Sequence, residues 1–168
     1  MIAGPHGAGK TSIMSRATGH SMKVGRFVDP QAIFEGLKDH YAEAEFKNIP
    51  VRDYAARAFD KAFTIRFKHI KKMHDVTVIC SLGSISDLDL MDAAIRNGYR
   101  IALHFFGVQN WKICHDYIKT SKNHWLSEIS EKHIYGDYHR AMAMLPGAIL
   151  QADTGMIYDH SDLKYPRP

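Results

Sequence analysis

The stretch MIAGPHGAGKTS, residues 1–12, decides how the rest of the chain is read. Within it, GPHGAGKT (4–11) matches the pattern GxxxxGK[ST] in full, with an extra glycine at Gly7. Each part has a physical reason. Glycines let the backbone turn until successive amide N–H groups point inward at phosphate oxygens. A lysine brings a point charge to the β- and γ-phosphates, and a hydroxyl completes the shell of a Mg2+ ion. Gly4, Gly7, Ala8, Gly9, Lys10, Thr11 and Ser12 are therefore the candidate nucleotide-binding residues, with Thr11 the metal ligand. His6 reads as the occupant of a variable loop position. Only Met1, Ile2 and Ala3 precede the loop. Such a stub can insert between parallel strands but should bury less of the sheet's centre than usual. It predicts a start assigned too late, trimmed or unusually short.

Working outward, residues 10–17 are helix-compatible and stop at Gly19. RFVD (26–29) reads as a short strand stopped by Pro30, and residues 31–45 as a helix with Ile33, Leu37 and Tyr41 on one side. Residues 51–73 form a long amphipathic segment in which Ala55, Phe59, Phe63, Phe67 and Ile70 recur at helical spacing, the mark of a core-facing stripe. VTVICSL (76–82) is a β-branched run suited to a strand buried on both sides. Ser86 and Asp89 suggest a capped helix through Asn97, ended by Gly98. A second buried strand is expected over 99–108, helices over 111–119 and 127–145, and a last strand over 154–160. Alternating helices and strands predict one α/β domain over 1–168: a mostly parallel sheet with helices on both faces, and an unstructured tail over 162–168.

Composition narrows the partners. The chain has 168 residues, 45% of them hydrophobic and 24% charged, enough for a single real core. A net charge of +4, with no basic run longer than the pieces of KHIKK (68–72), lacks the footprint of a dedicated nucleic-acid binder. Cys80 and Cys114 stand far apart, so neither a disulfide framework nor a zinc site is suggested, and a reducing cytoplasm is the expected location. No apolar run approaches the roughly 20 residues that span a bilayer, so no membrane partner is expected. Among the 11 histidines no HExxH pair occurs.

Holding a nucleotide is not a reaction. The NKxD motif of switch GTPases is missing, and a chain of this size suits a small kinase. Such an enzyme needs a carboxylate for the acceptor's proton and cations for the charge in transfer. Ligands of open α/β sheets collect at the carboxyl ends of strands. Asp29 ends the second strand and qualifies as catalytic base or, equally, as the cap of the next helix. Asp75 precedes the third strand and falls at the wrong edge. Lys119, Lys122 and His124 lie in the break between the late helices, with Arg140 further on. They predict either a cationic lid or an ordinary exposed loop.

Read together, GPHGAGKTS, FVDPQAIFEGL, ICSLGSIS, NGYRIALHFFGV and ISEKHIYGDYHRAMAMLPGAILQAD resemble the zeta-toxin family of P-loop kinases in order and spacing, over residues 4–161. The resemblance implies a P-loop kinase-like three-layer fold. It also implies transfer of a γ-phosphate from ATP or GTP, with Mg2+, to a hydroxyl acceptor. In the best-known members that acceptor is the sugar nucleotide UDP-N-acetylglucosamine. It further raises an antitoxin protein as a partner. Lys10 and Thr11 match the family's phosphate and metal groups. The family's proposed base, an aspartate, aligns with Gln31 here, which leaves Asp29 as its substitute. Where the family places a glutamate and an arginine after the next strand, this chain has Cys80 and an uncharged run, 81–86. The two late basic positions align with Lys119 and His124, and Asp137 stands where many relatives carry an arginine.

The resulting expectation is a small-molecule kinase with a remodelled acceptor site, its catalytic groups Lys10, Asp29, Lys119 and His124. A nucleotide-binding module that has lost transfer and works by interaction is the alternative. A polynucleotide kinase, suggested by the basic segment 66–72, comes third.

Overall fold

The computed structural model describes residues 1–14, 25–43, 50–121 and 124–162. Along the chain it contains β1 (Ile2–Ala3), α1 (Lys10–Met14), β2 (Arg26–Val28), α2 (Pro30–Glu43), α3 (Val51–Lys71), β3 (Val76–Val78), α4 (Ile85–Arg96), β4 (Ala102–Gly107), α5 (Trp111–Thr120), α6 (Glu131–Gln151) and β5 (Thr154–Asp159). Every strand pairing among the described residues is parallel. β2 pairs with β3, β1 with β4, and β4 with β5. A bridge from Ile2 to Ile79 joins the two ladders, and the Cys80 N–H donates to the Ile2 carbonyl at 3.0 Å. The strand order is thus β2-β3-β1-β4-β5. It reverses direction at β1, so the loop after β1 opens at the crevice where parallel sheets collect ligands.

Side-chain alternation explains why both faces are covered. Ala3, Val78 and Phe105 join one core with Ala62 and Ile70 of α3, Leu90 and Met91 of α4, and Leu145 and Ala148 of α6. Their chain neighbours Ile2, Ile79 and Phe106 point the other way and pack with Ile13 and Met14 of α1. Phe105 and Phe106 are both fully buried, each worth about 1.5–3 kcal/mol over an exposed side chain. A third cluster joins Ala8 of the loop to Phe34, Ala58, Cys114 and Ile134 on four helices. The expected α/β class with a parallel sheet is therefore present.

Several boundaries differ from the sequence expectation. Pro30 does not merely stop β2; it is the first residue of α2, where its missing N–H costs nothing. β3 is shorter than the run 76–82: its ladder to β2 stops at Val78, Ile79 and Cys80 still meet Ile2, and Leu82, with a left-handed φ of 59°, lies beyond the strand. The cap of α4 is Ser84, whose side chain accepts from the Ser86 N–H; Ser86 is itself inside the helix. β4 is shorter than the apolar run 99–108. α6 starts later than expected, at a Ser130 cap, and continues past Pro146 to Gln151. Residues 15–19, 44–45 and most of the tail lie outside the described residues, as does the Tyr41 side chain.

The stripe on α3 is also different. Its fully buried line is Ala55, Ala58, Ala62, Arg66 and Ile70, which lets α3 approach the neighbouring elements closely. Phe59 and Phe67 are half-buried and Phe63 is 38% exposed. At the opposite end of the sheet from the loop, a cavity of about 320 Å³ lies between β3 and β4, where β1 supplies only two residues to fill the gap. Asp75 lines it, away from the loop as its position before β3 implies.

Candidate functional site

The glycines of residues 4–9 place the loop in a shape few other residues could take. Gly4, Gly7 and Gly9 have φ of 141°, 82° and 74°. A Cβ at Gly4 would strike the Phe106 backbone, and one at Gly7 would come within 2.5 Å of the Cys114 carbonyl oxygen. The bare backbone therefore passes directly over β4 and α5. Inside the turn, Lys10 is 7% exposed, and its Nζ donates to the carbonyls of Gly4 at 2.5 Å and Pro5 at 2.8 Å. Burial pulls its pKa down, and the carboxylate of Asp137 works most strongly against that.

Two residues brace the loop from outside. Asp137 on α6 accepts the His6 backbone N–H at 2.8 Å. His160, just past β5 and fully buried, meets the Ala8 carbonyl through Nδ1 at 2.5 Å; since a carbonyl only accepts, Nδ1 carries the proton. The Ser12 hydroxyl lies 2.8 Å from that of Tyr117 on α5. His6 is more than a filler, because its ring packs against Phe59 at 5.4 Å and Trp125 at 6.4 Å, which also meet each other.

Above the loop is a cavity of about 270 Å³, whose walls include Lys10, Thr11, Asp29, Gln31 and His124. Asp29 has the cap role expected of it and stands where a catalytic base would have to stand. Its Oδ1 accepts the Gln31 N–H at 2.9 Å, capping α2, while the residue also lines the cavity. Burial raises its pKa, with the Gln31 N–H and Lys10 pulling in the opposite direction. A carboxylate so placed is more basic than one in water. Gln31 donates its side-chain amide to Glu35 at 3.1 Å.

The late basic residues divide. His124 reaches the cavity, but burial pushes its pKa down to about 4, so it is neutral at ordinary pH. Its Nδ1 accepts the Leu126 N–H at 3.1 Å. Lys119 stands apart: its ammonium is tied to the carbonyls of Ser127 at 2.5 Å and Ile129 at 2.9 Å, and it is not among the cavity walls. Lys122 lies outside the described residues. The segment after it is packed, with Leu126 buried and Trp125 against Phe34 and Phe59, and it brings no described cation to the cavity. Arg140 donates Nε to the Gly83 carbonyl at 2.8 Å.

Of the catalytic candidates, the fold brings Lys10, Asp29 and His124 together and leaves Lys119 aside. Phe59, Tyr117, Trp125, Asp137 and His160 join them unannounced. Of these, Phe59 was read only as part of a core-facing stripe, and Asp137 only as a departure from the resemblance at its position. No family model matches the chain, and no curated protein matches it in sequence.

Proposed function

We propose that the chain is a P-loop phosphotransferase with a kinase-like fold, similar to the zeta-toxin family. It transfers the γ-phosphate of ATP or GTP to the hydroxyl of a small acceptor. One observation carries this reading: Lys10, Thr11 and Asp29 line a single cavity over a glycine-built loop, at the point where the strand order reverses. The cradle fits a polyphosphate because its curvature depends on positive φ, and Lys10 rests on carbonyls that a charged phosphate would outcompete. Mg2+, held through Thr11 and the phosphates, would add positive charge at the transferring group.

The acceptor oxygen bonds to the γ-phosphorus as the bond from that phosphorus to the β–γ bridging oxygen breaks. The hydroxyl proton passes to Asp29, and the nucleoside diphosphate leaves with the bridging oxygen. Lys10 offsets the charge moving onto that oxygen. A cytoplasmic location and an antitoxin partner belong to the same proposal.

A non-catalytic nucleotide-binding module is the second reading. It is favoured by the uncharged wall after β3, where burial pushes the Cys80 thiol up to about 12. Calorimetric titration with ATP and GTP in Mg2+ tests the loop. Lys10→Ala should lose about a hundredfold in affinity, ~2.7 kcal/mol; equal affinity would refute the assignment. Nucleotide consumption that needs both an acceptor and Asp29 supports the kinase, and tight binding with no turnover supports the module.

A further inference from the structure

Of the loop residues 4–9, only His6 lines both the cavity above Lys10 and a second hollow, of about 480 Å³, walled by α3 and α6. If the phosphotransfer reading holds, the nucleotide's phosphates fill the loop, and this imidazole stands where they meet the second hollow.

The ring is held in place without being used up. Asp137 takes the His6 backbone N–H, and Phe59 and Trp125 pack against the ring. Neither ring nitrogen makes a hydrogen bond among the described residues. Nε2 lies 3.8 Å from Asp137 Oδ1, and the side chain is 21% exposed, so a protonated ring has one N–H for the carboxylate and another for a guest.

Charges reach the ring from several elements. Burial, the largest effect, together with Lys10 on the loop and Arg140 on α6, keeps it neutral, and Asp137 works against them. His124, which lines the same cavity, is neutral as well. Asp29 adds a carboxylate to that cavity, and α3 lines the second hollow with one charge of each sign, Asp60 and Arg66. A triphosphate alters this balance, because an anion within about 4–6 Å of an imidazole favours its charged form. Lys119 is tied to backbone carbonyls and supplies no cation here.

We infer that His6 recognises the γ-phosphate: when a triphosphate binds, the imidazole takes up a proton from solvent, turns one N–H to Asp137 and donates the other to a γ-phosphate oxygen. The imidazolium then supplies positive charge to the transferring group from the side of the second hollow.

NMR titration of the histidines tests this on the whole chain, free, with Mg2+ and ADP, and with Mg2+ and a non-hydrolysable ATP analogue. The His6 signals are those lost in His6→Asn. They should titrate below 6.5 in the free protein. The triphosphate should raise the ring's proton affinity at least about tenfold, and the diphosphate much less. By calorimetry, His6→Asn should bind the triphosphate at least about tenfold more weakly and ADP within about twofold of the parent. His6→Phe, which keeps a ring against Phe59 and Trp125, repeats both measurements should His6→Asn fold poorly. A His6 titration that the bound triphosphate leaves unmoved, or that both nucleotides move alike, would overturn the inference while the kinase reading stands. Equal losses of the two nucleotides in the variants would do the same. Failure of the parent to bind either nucleotide overturns the phosphotransfer reading beneath it.

Discussion

Asp137 on α6 accepts the backbone N–H of His6 at 2.8 Å, so a carboxylate from the last long helix holds the glycine loop of residues 4–9 in place. The group is 7% exposed, and deleting it would leave the His6 N–H without its partner. Asp137→Ala should cost about 1–3 kcal/mol and weaken nucleotide binding. Asp137→Asn keeps an acceptor and removes a negative charge near the site, so its affinity should equal or exceed the parent's. Melting curves and calorimetry on both variants separate the hydrogen bond from the charge.

Asp29 gives a pH signature. Its folded pKa is raised, so between the ordinary carboxylate value and that higher one the folded state holds more protons than the unfolded chain. Stability from this group is therefore lost as pH rises through that window. Asp29→Asn should cap α2 equally well and melt no lower than the parent at pH 7. It should retain nucleotide binding and lose transfer. In the parent, the acidic limb of the rate profile should lie above the usual carboxylate range.

His124 works in the opposite sense. The unfolded imidazole takes a proton near 6.5, while the folded one waits until about 4. Stability is present above 6.5 and lost as pH falls toward 4. His124→Gln should narrow the difference between melting points at pH 7 and pH 5. An NMR titration that found His124 protonating near 6.5 in the folded protein would sink this account.

Arg66 and Asp87 are buried together, at 3.8 Å. Arg66→Met would leave the Asp87 carboxylate in a dry site, at a cost of about 3–5 kcal/mol. Adding Asp87→Leu removes the stranded charge and should recover most of that loss. Denaturant unfolding of the parent, both single variants and the pair measures the coupling.

What could be read in advance follows from how local each signal is. The glycine loop, the β-branched run at 76–78 and the Asp29 cap of α2 depend on near neighbours, so their chemistry stood in the sequence, whereas the cap of α4 was expected at Ser86 and lies at Ser84. The alternation of Ile2 and Ala3 across the sheet, or of Phe105 and Phe106, was equally local. The burial of Arg66 was not, because it rests on the Ile79 carbonyl and Asp87, brought near only by the packing of α3 on β3 and α4. Phe59 and Phe63 share the spacing of core residues, yet Ala58 and Ala62 hold the buried line of α3, while Phe59 is half-buried and Phe63 is 38% exposed. His160 meets Ala8 from the far end of the chain, a contact no pattern could encode.

Gln31 offers a direct test of where the base resides. It lines the cavity beside Asp29, and the first turn of α2 has no acidic residue. Gln31→Asp would add a carboxylate where the helix favours negative charge, a gain of about 0.3–1 kcal/mol. It would also give up the amide's bond to Glu35 and bring two acids close together. In the parent background that crowding should raise the pKa of one of them and move the acidic limb of the rate profile upward. The informative protein is the double variant, Asp29→Asn with Gln31→Asp. If acceptor activation needs a carboxylate in this corner, the double variant should recover at least about tenfold, 1.4 kcal/mol, of the rate lost in Asp29→Asn alone. Single-turnover transfer measured with nucleotide in excess reads this without interference from product release. No recovery, in a protein that binds nucleotide as the parent does, would place the proton acceptor elsewhere in the cavity.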